Sequence, residues 1–103
     1  MNTYYPYPAN DNKHKYYIIT ASNKKIHFGA YNYNDYTIYC RDYGKEYADK
    51  KKNAYIARHK VKESKFWNNP NYASFWSLWL LWNKPTIQAS YNDIKKRFFN
   101  TSY

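Results

Sequence analysis

The residues able to do chemistry are few and scattered. Three histidines, His14, His27 and His59, share the chain with one cysteine, Cys40, and seven carboxylates. The histidines stand far apart and Cys40 has no second thiol near it, so no metal-binding spacing arises and neither a metal nor another cofactor is expected. Gly29 and Gly44 are the only glycines, too widely separated to build a phosphate-cradling loop. The best catalytic arrangement is Arg58-His59 with Asp35 or Glu63, which would supply a small nuclease with a base, a phosphate clamp and an acid. Neighbours on a helix point about 100° apart, so Arg58 and His59 are not expected to converge on one atom. His27 lies in a strand pattern and reads as a packed or surface histidine. The chain is therefore read as non-enzymatic.

Positive charge is the stronger signal. Lys and Arg number 17 against 7 Asp and Glu, giving a formal charge of +10, and charge of this size speaks about partners rather than fold. Lys45, Lys50, Lys51, Lys52, Arg58, Lys60, Lys62 and Lys65 crowd one stretch, opposed only by Glu46, Asp49 and Glu63. Lys95, Lys96 and Arg97 form a second group. Cations along a helix can neutralise phosphates and release counterions. They can equally be a solvated face. Tyrosines between the charges could stack on bases or belong to the core, and no helix-turn-helix, RRM or zinc-finger motif is visible.

The elements that must position these groups fit one small domain. Aromatic residues make up 23% of the 103 residues, so the core has to be built from large rings whose hydroxyls reach towards water. A lone cysteine rules out an intramolecular disulfide, and neither a signal peptide nor a membrane span is expected.

Residues 1–15 carry Pro6 and Pro8 and read as an extended Tyr/Pro-rich arm, with Tyr4, Tyr5 and Tyr7 as interface anchors. The domain proper is expected over 16–99, followed by a polar tail over 100–103. Tyr16–Thr20 and Lys25–Phe28 predict a hairpin around a short polar loop, and Tyr36–Cys40 a third, short strand. Residues 44–62 predict an exposed basic helix with Tyr47, Ala54, Arg58 and Val61 inward. A central helix is expected to be capped by Asn69, to carry Pro70 in its first turn and to run to Trp82, a further interface aromatic. The Trp76, Trp79 and Trp82 spacing reads as core. Thr86 caps a last helix with Ile87, Tyr91, Ile94 and Phe98 on one stripe. The expectation is thus an α+β fold: an N-terminal β-hairpin or small antiparallel sheet packed on about three helices.

Several segments taken in order, His27-Phe28-Gly29-Ala30, Asn34-Asp35-Tyr36-Thr37-Ile38, Tyr55-Ile56-Ala57-Arg58-His59-Lys60, Phe75-Trp76-Ser77 and Leu80 to Thr86 with Ala89-Ser90, carry a resemblance. Over residues 16–99 the chain resembles an uncharacterised family of small basic proteins of large nucleocytoplasmic DNA viruses. It differs in lacking a longer charged run after Thr37-Ile38 and in carrying its own Tyr-rich arm. The resemblance implies a viral setting, in the virion and in host cytoplasm during assembly, and supplies no catalytic or binding residues. Two non-enzymatic readings follow. The first is a minor structural or adaptor protein of the particle, open to multi-copy assembly and contacting other virion proteins. The alternative is a protein that binds viral DNA without sequence specificity and helps package it.

Overall fold

The computed structural model describes residues 3–99, so Met1 and Asn2 of the arm and the whole tail over 100–103 lie outside the described residues. The fold is α+β. Strands β1 (Tyr7–Pro8), β2 (His14–Ile19) and β3 (Lys25–Ala30) form an antiparallel sheet in the order β1-β2-β3, followed by helices α1 (Tyr36–Tyr43), α2 (Lys45–Glu63), α3 (Ala73–Trp76) and α4 (Ile87–Phe98).

The β2–β3 hairpin follows from its sequence. Tyr16 pairs with Phe28 and Ile18 with Ile26, and Ile18 and Phe28 are buried. The loop closes through Thr20, whose backbone bonds Lys24 and whose Oγ1 accepts from the Lys24 amide, while Asn23 adopts a positive φ of 67°. Asparagine tolerates that conformation better than most residues.

The arm expected over residues 1–15 is instead the edge of the sheet. Ala9 donates its amide to the Lys15 carbonyl, and the register pairs Tyr7 with Tyr17 and Pro8 with Tyr16. Alternation along an antiparallel pair then turns the nitrogen of Pro8 outward, where a missing N–H breaks no ladder bond, while Pro6 is buried just before the paired residues. Pro8 is therefore compatible with an edge strand. Tyr4, Tyr5 and Tyr7 also pack on their own chain: Tyr4 against Trp76 and Phe99, Tyr5 against Tyr91, and Tyr7 against Tyr17.

The third strand expected over Tyr36–Cys40 is helix α1. Asp35, extended in backbone, accepts hydrogen bonds from the amides of Thr37 and Ile38. This cap satisfies two otherwise orphaned donors, which outweighs the strand preference of Thr37 and Ile38. Gly44, at φ 91°, breaks the chain direction between α1 and α2.

Helix α2 turns a different face inward than the sequence suggests. Ala48 and Tyr55, seven positions apart, are buried, whereas Val61 is 89% exposed and Tyr47, Ala54 and Arg58 are exposed as well. The long central helix is also shorter and irregular. The Asn69 side chain accepts from the Asn71 amide, Tyr72 takes the capping position, and α3 makes a single turn before a π-helical turn over Ser77–Leu81. Two indoles fix this segment, Trp76 Nε1 donating to the Pro70 carbonyl at 2.8 Å and Trp79 Nε1 to that of Trp67 at 2.7 Å.

The core joins Ile18 and Phe28 of the sheet to Phe75, Trp76, Leu80, Leu81 and Ile94. Gly29 lies against it at φ 78°, and a Cβ there would stand 2.7 Å from Leu81 Cδ1. Helix α4 is capped by Thr86, which accepts from the Ala89 amide, and Ile94 is fully buried with Ile87, Tyr91 and Phe98 half-buried around it.

Candidate functional site

A cleft of about 760 Å³ opens between the β2–β3 hairpin, the loop into α1, helix α2 and the π-helical turn. The hairpin contributes Lys13, His14, Lys15 and His27, and the loop contributes Tyr33 and Asp35. Across from them α2 presents Lys51, Tyr55, Arg58 and His59. Lys51 and Arg58 are seven residues apart, two turns of helix, so they follow one flank.

The floor is a ladder of rings. His59 lies on Tyr55 with centroids 4.3 Å apart, Tyr55 on Trp82 at 4.5 Å, and Trp82 leans on Tyr39 at 6.1 Å. Trp82 is therefore part of the internal packing that shapes the cleft rather than a protruding anchor. The π-helical turn places it there, since an extra residue per turn rotates the chain beyond Leu81 relative to an α-helix. Burial, with the Glu63 charge nearby, holds the Tyr55 hydroxyl in its neutral form well above the ordinary tyrosine range.

The carboxylates in the cleft are committed. Asp35, buried, caps α1 and pairs with Lys15 Nζ at 2.6 Å. Glu63 Oε2 holds His59 Nδ1 at 2.6 Å, and outside the cleft wall Asp11 Oδ2 holds His14 Nδ1 at 2.8 Å. A carboxylate only accepts, so each Nδ1 carries the proton and each Nε2 is the nitrogen left over. Arg58 and His59 do line one cleft, despite their angular separation on α2. Asp35 and Glu63, the acids paired with them in the nuclease reading, serve a helix cap and an imidazole. Among the described residues no group of three or more His, Cys, Asp or Glu side chains is placed to hold a metal ion.

The basic stretch does not act as one surface. Lys51 and Arg58 reach the cleft, and among the described residues neither is ion-paired; Lys51 lies over the rings of Tyr39 and Tyr47. Lys45 is bound to Asp49 at 2.9 Å. Lys52 is half-buried over Tyr36 and donates to the Asn83 carbonyl, and that burial lowers its pKa. Lys50, Lys60, Lys62 and Lys65 stand in solvent away from the cleft. Lys95, Lys96 and Arg97 also lie outside it, Lys95 over Tyr91 and Arg97 paired with Asp93 over Trp79.

Sequence reasoning missed Lys13, Lys15 and Tyr33 as members of this site. The run Lys13-His14-Lys15 at the start of a strand was the available signal for the first two. Among the described residues no helix is long and apolar enough to cross a membrane. No protein-family profile, curated protein or solved structure matches the chain.

Proposed function

We propose that the protein binds nucleic acid through its phosphate backbone, without sequence specificity and without catalysis, as a basic component of a large DNA virus particle. One observation carries the reading: among the described residues, Lys13 on the hairpin side and Lys51 and Arg58 on α2 line a single cleft without carboxylate partners, while Lys15, Arg41, Lys45 and Arg97 are each paired. Unpaired cations on opposing walls suit a chain of phosphates, each of which would release condensed counterions on contact. The viral setting comes from the resemblance in sequence.

A salt titration by fluorescence anisotropy tests the proposal. Affinity for a random-sequence oligonucleotide is expected to fall linearly on a log–log plot, with a slope of roughly 0.7 to 0.9 per phosphate neutralised. The pair Lys51→Glu and Arg58→Glu should weaken binding and flatten that slope. Affinity indifferent to salt, or untouched by the two changes, defeats the proposal.

A second reading, a minor capsid-side or adaptor protein, is favoured by exposed rings. Tyr31, Tyr43 and Tyr47 are 56%, 60% and 42% exposed, and tyrosine is enriched at protein interfaces. Cross-linking mass spectrometry on purified particles decides it: cross-links from α1 or the start of α2 to another virion protein support it, and absence of the protein from particles sinks it.

A further inference from the structure

We infer that the cleft takes single-stranded nucleic acid, with a base stacked on Tyr33 and the flanking phosphates held by Lys51 and Arg58. The inference rests on the backbone-binding reading and adds the form of the ligand. Tyr33 lines the cleft from the loop between β3 and α1, and it is 73% exposed. Its loop position is set on both sides, by its own amide donating to the Ala30 carbonyl at 3.2 Å and by the buried Asp35 cap two residues later.

The other tyrosines of the cleft are occupied. Tyr39 and Tyr55 both pack against Trp82, and Tyr55 also carries His59. Among the described residues no ring packs against Tyr33, which leaves a π-face open beside unpaired cations. A positively charged groove with a free aromatic face is the arrangement that binds single strands, because every base can stack and the backbone follows the charge. A duplex keeps its bases stacked on one another and offers only its phosphates. A volume near 760 Å³ is also of the size that encloses a small ligand, and suits a nucleotide or two rather than a double helix.

The experiment compares a labelled single strand with the duplex of the same sequence, at one salt concentration, on the full chain and on Tyr33→Ala and Tyr33→Phe. Preference for the single strand is expected. Tyr33→Ala should lower that affinity about 5- to 150-fold, Tyr33→Phe should retain it, and duplex binding should not change. Tyr33 is exposed, so circular dichroism should show each variant folded as the parent.

Equal affinity for both forms, or a single-strand affinity indifferent to Tyr33→Ala, overturns the inference. If Lys51→Glu and Arg58→Glu still weaken both forms, the backbone reading survives that failure. Displacement of the single strand by polyglutamate at equal charge concentration would overturn both, pointing to an acidic polypeptide as the ligand.

Discussion

The ring of Trp82 lies flat on that of Tyr55, with centroids 4.5 Å apart and planes 9° from parallel. Both residues line the cleft, so the same contact that holds α2 to the π-helical turn also forms the floor of the proposed binding site. Trp82→Ala should therefore destabilise the fold by about 3 kcal/mol, the lower end for deleting a large ring, because Trp82 is only half-buried. Urea denaturation measures this. Trp82→Phe keeps a stacking ring and should lose less than half as much; an equal loss would show that the stack is not what matters.

Asp35 ties α1 to the hairpin through one carboxylate. Its Oδ1 accepts from the Thr37 and Ile38 amides and its Oδ2 pairs with Lys15. Removing it by Asp35→Ala takes away the cap and leaves Lys15 largely buried without its partner, with an expected cost of about 3 kcal/mol or more. Asp35→Asn keeps an oxygen for the cap, so it should be milder. The double change Asp35→Ala with Lys15→Met should recover part of the loss in thermal denaturation, since no uncompensated charge then remains.

The pH dependence of stability should have an alkaline limb carried chiefly by the buried Tyr55 and Tyr36 hydroxyls, with a further share from the half-buried Tyr16. Burial raises the pKa of both Tyr55 and Tyr36, and in Tyr36 the hydrogen bond to Asp49 adds to it. A raised folded pKa means that the contribution is complete below the unfolded value of about 10 and is lost as pH climbs above it. Stability should therefore decline above about pH 10. Tyrosinate absorbance should show Tyr36 and Tyr55 ionising together with unfolding. Tyr55→Phe and Tyr36→Phe together should flatten the limb, and an unchanged limb would refute the assignment.

Gly29 meets two constraints at once. Its φ of 78° is costly for any other residue, and an added Cβ would press on Leu81 Cδ1 at 2.7 Å. Gly29→Ala should cost about 2–4 kcal/mol, from backbone conformation and overpacking together. Adding Leu81→Ala should not restore the parent midpoint, because it relieves the contact and not the dihedral angle.

The fold was legible where one strong local pattern dominated. Alternating β-branched and aromatic residues marked the hairpin, and Thr86 with the stripe from Ile87 to Phe98 marked the last helix. It was hidden where two preferences competed. Thr37 and Ile38 favour a strand, but the Asp35 side chain reaches their amides and nucleates a helix. Pro8 reads as a breaker because its orientation relative to a neighbouring strand cannot be seen in one segment alone.

The site was legible in part for the same reason. Lys51 and Arg58 belonged to a dense basic run, yet nothing local separated them from Lys45 or Lys52, whose partners are set by tertiary packing. Tyr33 was one tyrosine among fifteen. Only the loop geometry leaves its face open.

The short outer strand has a consequence for how copies of this protein could gather. Pro8 lies on the outer edge of the sheet and carries no amide hydrogen, so an incoming strand would find a donor missing from the row it needs. Strand addition from that side is disfavoured. Copies approaching from that side would then meet through side chains and loops, as discrete units rather than as a continuous ribbon.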